Sequence, residues 1–322
     1  MNNHNNSMLI LCYHSISEST EDRIDPSIIV SPANFEKQLA SLADSAQVIS
    51  MADYAEALHS GRSLPKNAVV LTFDDGYRDN WATALPLLRK FGFPATFLLA
   101  TDYIGGGPKW EDRVTGMLHR SKHETVTLDL QTGRMTFDTQ DQKARGKSIV
   151  RLLGMLSRYQ RSRREQVLAD LAAQSEADTA DFDQVMMDWD QAREIAATPG
   201  MTVGAHTVTH PNLTRVPDDQ VQEEVVTSKQ VVEQQIGQPV RFFCYPYGDY
   251  DDRVIRSLKA AGFECAGTLF YGSNTLRTNP FQLKRVQAPD ENGSRWRIGL
   301  QLRGSMFGEQ LKQAYNLVNR LG

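Results

Sequence analysis

The stretch Ala68-Val69-Val70-Leu71-Thr72-Phe73-Asp74-Asp75-Gly76-Tyr77 carries a strand signal and a chemical signal together. Its apolar first half reads as a short buried strand. Asp74 and Asp75 stand at the C-terminal end, and Gly76 turns the chain out. Two adjacent carboxylates at a buried strand end repel each other unless a positive charge lies between them or one is protonated. A metal ion removes the conflict. Its further ligands stand in Gly204-Ala205-His206-Thr207-Val208-Thr209-His210-Pro211.

On either side of these stretches, strands alternate with helices. Residues 8–14 read as a first strand ending in Tyr13-His14. Ser31 or Asn34 caps a helix with Phe35, Leu39 and Leu42 on one face, and Ser50 caps another over 51–58. A helix over 79–91 stops at Gly92-Phe93-Pro94, and 95–100 is a strand. Later strands at 201–205, 242–245, 265–269 and 283–286 are separated by helices at 218–236 and 251–261. This is the rhythm of βα units and a parallel sheet, an α/β fold. Residues 103–185 break it. A hairpin (125–130 and 134–137) and two helices (142–159 and 164–174) predict an insertion. The tail, about 295–322, holds an amphipathic helix over 308–321. One domain over 1–322 is expected, with insertion and tail attached.

The chain has 322 residues, enough for one large α/β domain. A formal net charge of −4 leaves no basic footprint for nucleic acid. The polar start and the short apolar run at 8–12 do not make a signal sequence. No stretch approaches the ~20 apolar residues of a membrane span. The expectation is a cytoplasmic protein, with the inner membrane face open to it. The first insertion helix carries Lys143, Arg145, Lys147, Arg151 and Arg158. A solvated face is the plain reading, and peripheral membrane contact is the alternative. Cys12, Cys244 and Cys265 form no C-x-x-C pair and read as buried reduced thiols. His4, His59, His119 and His123 receive no role. Oligomeric state leaves no signal.

Candidate functional residues fall at successive strand ends: His14, Asp74 and Asp75, His206 and His210, and Tyr245 to Gly248. Parallel barrels and sheets carry their active sites there. Between the two histidines, the β-branched Thr207-Val208-Thr209 run, followed by Pro211, predicts a loop. Two imidazoles and one carboxylate leave coordination positions open, as catalytic metal sites do. The ligand types favour zinc. Taken alone, the histidines read equally as ordinary loop residues, and the Asp pair is what adds weight. One aspartate then binds the metal and the other takes a proton from an acidified water. A backbone N–H completes the equipment for amide or ester hydrolysis by stabilising an oxyanion.

Thr72-Phe73-Asp74-Asp75-Gly76 with His206-Thr207-Val208-Thr209-His210 resembles the polysaccharide deacetylases of the NodB-homology type, carbohydrate esterase family 4. The resemblance covers residues 8–100 and 186–290. It implies a distorted (β/α)7 barrel, with Asp74 as general base. It also implies Asp75, His206 and His210 as ligands of a divalent metal, usually zinc. The implied reaction removes acetyl from an N-acetylated sugar. The family's third motif commonly reads Arg-Pro-Pro-Tyr-Gly, where this chain has Cys244-Tyr245-Pro246-Tyr247-Gly248. That match implies Pro246 and Tyr247 at the substrate, with the Tyr247 backbone N–H as oxyanion donor. The arginine that braces the base is expected to be missing, with Cys244 in its place. Asp188-Trp189 is similar to the motif whose Trp lines the sugar groove. Asp188 with Gln191 reads equally as a capping box followed by a packed aromatic.

The family's late-strand histidine, its general acid, has no counterpart in Leu283-Lys284-Arg285-Val286. His14 is expected to replace it, because first and last strands are neighbours in a closed barrel. Tyr13-His14-Ser15-Ile16 also resembles the start of the poly-N-acetylglucosamine deacetylase branch. A hydrogen-bonded strand-end histidine is the alternative. The leading expectation is a metal-dependent N-deacetylase acting on a polysaccharide or lipid-linked glycan. A hydrolase of a non-sugar amide stands beside it. So does a non-catalytic glycan-binding relative, prompted by the missing Arg and His. A non-haem iron oxygenase would share the ligand set, but it has no use for the second aspartate.

Overall fold

The computed structural model describes residues 7–18, 25–293 and Trp296. The expected tail helix over 308–321 and His4 lie outside the described residues. The strands are β1 (Ser7–Tyr13), β2 (Gln47–Val48), β3 (Ala68–Asp75), β4 (Ala95–Leu99), β5 (Thr125–Leu130), β6 (Gly133–Asp138), β7 (Met201–Ala205), β8 (Phe242–Cys244), β9 (Cys265–Gly267), β10 (Asn274–Thr275) and β11 (Val286–Gln287). The α-helices are α1 (Pro32–Ser45), α2 (Met51–Ser60), α3 (Leu85–Phe91), α4 (Trp110–His119), α5 (Gln142–Leu156), α6 (Arg161–Ser175), α7 (Trp189–Ala197), α8 (Asp218–Ile236) and α9 (Asp252–Ala260).

All eight residues of β3 are buried, as its apolar run requires. It pairs in parallel with β1 and β4, and the sheet continues through β7, β8 and β9. The segment after β9 closes the ring: Leu283 bridges Gly267 in parallel, and β11 pairs with β1 through Leu11↔Val286. The result is a curled parallel sheet with surrounding helices, a distorted (β/α)7 barrel. First and last strands are neighbours, as expected.

Residues two apart on a strand share a face. Met8, Ile10, Val70, Leu98, Phe242, Cys265 and Leu283 form one apolar cluster, joined by Met51, Tyr54 and Ala57 of α2. A second cluster lies between sheet and helices, built on Leu11, Phe73, Phe97, Val203 and Phe243 with Phe35, Leu39, Ile195 and Val225. The same alternation, followed towards the strand ends, carries Cys12, Thr72, Cys244 and Arg285 inward and delivers Asp74 above them.

Helix starts follow local chemistry. Ser50 and Asp53 make a reciprocal capping box on α2. Asp188 and Gln191 make the expected one on α7. The helix predicted over 79–91 opens with a π-helical turn, Asn80–Ala84. Asn80 is buried there and donates to the His14 carbonyl at 2.6 Å. Residues 103–185 hold the expected hairpin and two helices, plus the unanticipated α4. They have their own apolar core, built on Trp110, Val114, Leu118, Leu128, Phe137, Leu152, Leu168 and Phe182. No side chain caps α4, and Gly116 sits in its interior, so its local signal is weak.

Candidate active site

Asp74 and Asp75 follow each other on β3, and regular pleating would send them to opposite faces. Asp75 instead takes a positive φ of 78°. Both carboxylates therefore face the barrel mouth, where both are 1% exposed.

Asp74 is braced by an arginine, contrary to the expectation of a missing brace. Arg285 Nη1 donates to Oδ1 at 2.8 Å and Nη2 to Oδ2 at 2.7 Å, a bidentate pair. Arg285 also donates to the Thr268 carbonyl and the Thr72 hydroxyl, and its Nη2 reaches Cys244 Sγ. A Cβ on Gly267 would lie 2.8 Å from Arg285 Cδ, so glycine makes room for the guanidinium. The late strand thus supplies an arginine where a histidine was sought. The Cys12 and Cys244 thiols donate to Asp74 Oδ2 at 3.5 and 3.4 Å. Burial alone would raise the Asp74 carboxyl, but Arg285 holds it well below the usual carboxylate range. Burial pushes both thiols up, so they are neutral donors.

His14, at the end of β1, lies beside this pair because β1 and β3 run in parallel register, Tyr13 opposite Phe73. His14 Nε2 is 3.9 Å from Asp74 Oδ2. Burial lowers the His14 pKa against the pull of the two aspartates.

Asp75 Oδ1, His206 Nε2 and His210 Nε2 converge. The oxygen lies 3.5 and 3.3 Å from the two nitrogens, which are 3.2 Å apart. A tetrahedral ion with bonds of ~2.1 Å spaces its ligands by about 3.4 Å, so the set fits one divalent cation. Hydrogen bonds on the far sides agree. His206 Nδ1 donates to the Cys244 carbonyl at 2.8 Å, and His210 Nδ1 donates to Glu111 Oε1 at 2.5 Å. With Nδ1 turned to an acceptor, each ring aims Nε2 at the cluster, the orientation a metal-ligating imidazole takes. Burial lowers His206 to about 4, which keeps it unprotonated. Asp75 Oδ1 is buried without a hydrogen-bond partner. Two ring nitrogens facing an orphaned carboxylate oxygen is an arrangement that a cation relieves. Asp75 Oδ2 accepts from Lys109 Nζ at 2.6 Å, and Lys109 is only 3% exposed.

The loop from His206 to His210 is not helical, as its sequence predicts. Thr207 and His210 take φ of 69° and 52°. Glu224 of α8 holds the turn, accepting from Val208 N at 2.7 Å, Thr209 N at 2.8 Å and the Thr209 hydroxyl at 2.5 Å. Across the mouth, Pro246–Gly248 forms a tight turn with Tyr247 at φ 61°. The Tyr247 ring lies 5.2 Å from that of His210. Gly248 has φ 76°, and a Cβ there would meet Leu269 N at 2.4 Å, so only glycine fits. Trp189 packs half-buried against the barrel core behind its capping box. Among the described residues, no hydrogen bond or ring contact joins it to the aspartates, His206, His210 or Tyr247.

Sequence reasoning missed Arg285, Lys109, Glu111 and Glu224. For Arg285 a signal existed. It follows Leu283 at the two-residue spacing that places Cys12 after Ile10 and Asp74 after Thr72. Lys109 and Glu111 begin a helix that the sequence does not announce.

The polysaccharide deacetylase family profile matches residues 61–266, most of the chain. The chain belongs to the polysaccharide deacetylase family. The family match spans Asp74, Asp75, His206, His210 and Tyr247, while His14 and Arg285 lie beyond its ends. The Bacillus subtilis protein YxkH is 22% identical over 287 residues, covering 88% of this chain and 73% of that protein. The Escherichia coli poly-beta-1,6-N-acetyl-D-glucosamine N-deacetylase is 33% identical over 93 residues, which is 29% of this chain and 14% of that protein. Among solved structures, IcaB from Ammonifex degensii superposes with a TM-score of 0.60 at 18% identity, covering 94% of this chain and 99% of that one. The Streptococcus pyogenes deacetylase PplD gives a TM-score of 0.59 at 21% identity, with 89% and 94% covered. These likenesses establish the family's fold for this chain.

Proposed function

We propose that the protein hydrolyses the N-acetyl amide of an N-acetylated sugar within a polysaccharide or lipid-linked glycan. The observation that carries the proposal is the Asp75–His206–His210 cluster set beside an arginine-braced Asp74 at the barrel mouth. Family membership supports the reaction class. The name of the E. coli relative points to poly-N-acetylglucosamine as the first polymer to test.

Asp75, His206 and His210 are the residues that would hold a divalent metal, and zinc suits the nitrogen and oxygen donors. When bound, such an ion acidifies water and polarises the amide carbonyl. Asp74 Oδ2 takes the proton from the attacking water. Arg285 keeps that carboxylate ionised and aimed. The Tyr247 backbone N–H receives the negative charge that builds on the carbonyl oxygen. His14 delivers a proton to the departing amine nitrogen. It is neutral at rest, so it must first take up the proton it delivers, and Asp74 Oδ2 is its nearest carboxylate oxygen. Pro246 shapes the turn that carries Tyr247, and Trp189 lines the outer groove for the glycan.

The test is acetate release from N-acetylated oligosaccharides by wild type, Asp74→Asn, His14→Ala and chelator-treated protein. Asp74→Asn and chelation should abolish release. Losing a general acid should slow it about 10²–10⁴-fold in His14→Ala. Release that survives Asp74→Asn would overturn the proposal, and release untouched by His14→Ala would remove His14 from it.

A further inference from the structure

Residues 109–112, at the point where the insertion leaves the barrel, each hold a different part of the site. Lys109 grips Asp75 Oδ2. The Trp110 indole N–H donates to the His210 carbonyl at 3.3 Å. Asp112 accepts from the Tyr77 hydroxyl at 3.1 Å, fastening the turn that follows the aspartates. Glu111 does the most. Its Oε1 accepts from His210 Nδ1 and from the Tyr247 hydroxyl, both at 2.5 Å.

We propose that Glu111 is a positioning residue that ties the metal-ligand loop to the oxyanion loop. Those loops follow β7 and β8. Asn212 Nδ2 donates directly to Asp249 Oδ2 across them at 2.7 Å, but among the described residues no direct hydrogen bond joins His210 to Tyr247. Glu111 joins them from a third element. Through His210 it fixes the ring's orientation and which ring nitrogen faces the ion. Through Tyr247 it holds the turn whose N–H faces the carbonyl oxygen. A purely structural role fits poorly. Glu111 Oε2 is buried without a partner, so the carboxylate is held at a desolvation cost that a neutral or apolar residue would avoid. The rest of the insertion backs the arrangement: Arg164 of α6 is buried against the Trp110 ring and donates to the Thr209 carbonyl. The inference rests on reading His210 as a metal ligand and Tyr247 as the oxyanion residue.

The experiment measures Zn²⁺ affinity by competition with a chromophoric chelator, alongside the melting temperature of the metal-free protein and acetate release. Glu111→Ala should weaken Zn²⁺ binding about 10–100-fold, as loss of an outer partner of a ligand histidine does. Glu111→Gln, which retains an acceptor but not the charge, should fall between Ala and wild type. Tyr247→Phe should leave Zn²⁺ affinity unchanged and lower kcat with little change in KM. Should Glu111→Ala fail to fold, Glu111→Gln and Tyr247→Phe carry the test. Glu111 variants that bind Zn²⁺ within about twofold of wild type would overturn the inference while leaving the deacetylase reading intact. Wild-type protein that binds no Zn²⁺ would overturn the reading of the site, and this inference with it.

Discussion

Asp74 is a buried anion whose state depends on one cation. Arg285 meets both carboxylate oxygens, and two neutral thiols add weak donors on Oδ2. Removing one partner of a buried pair leaves an uncompensated charge, so Arg285→Met should destabilise the protein by about 3–5 kcal/mol at neutral pH. The sign of the pH dependence follows from the depressed carboxyl. Asp74 contributes stability that is complete above the unfolded-chain pKa of ~3.9 and is lost as pH falls through the lower folded value. The gap between wild type and Arg285→Met, read from urea unfolding, should be widest above about pH 5 and should narrow towards pH 3. A gap independent of pH would mean that Arg285 acts through packing alone.

The β7–α8 loop is a strained element held by its own following helix. Thr207, β-branched, and His210 both adopt positive φ, a cost of order 1–3 kcal/mol each. In return both imidazoles reach one point from five consecutive residues. Glu224, two turns into α8, satisfies two backbone N–H groups and a hydroxyl in that loop. Glu224→Ala should cost about 1–3 kcal/mol for the donors left unmet, measured by urea unfolding. It should also weaken Zn²⁺ binding, since the loop is released to relax. Unchanged stability would show that the loop keeps its shape without the clamp. The sequence shows H-x-x-x-H and β-branched residues that disfavour a helix. It does not show that a glutamate 14 residues after His210 would fold back on the loop, because that contact depends on how α8 packs on the sheet.

At the scale of the whole molecule, closing the barrel and docking the insertion assemble the site. Ring closure brings 283–287 against β1 and so brings Arg285 to Asp74. The insertion has a core of its own and lends Lys109 and Glu111 to the barrel's mouth. A ligand that binds only the native state stabilises it by ~2.7 kcal/mol at a free concentration of 100 times Kd. Zn²⁺ in that excess should therefore raise the melting temperature, and a chelator should reverse the rise. Asp75→Asn should melt alike with and without Zn²⁺. An equal Zn²⁺ shift in Asp75→Asn would place the ion elsewhere.

Periodicity and residue chemistry were enough to read the α/β alternation, the buried β3 with two carboxylates at its end, the paired histidines in a loop and the capping box at Asp188. These features depend on residues within a few positions of one another, and the chain displays them openly. The motif pairing was enough to identify the family, and with it a seven-unit barrel. The partners of the functional groups were not open to that reading. Arg285 on Asp74, Lys109 on Asp75 and Glu111 on His210 are separated in sequence by 211, 34 and 99 residues. A buried charge takes its counterion from whatever the packed chain brings near it, and sequence spacing does not encode that distance. Strand alternation pointed Arg285 into the barrel, but only ring closure put it on Asp74. The local signal for α4 is weak, since no side chain caps it and Gly116 sits inside it, and its apolar face is held by the insertion's core.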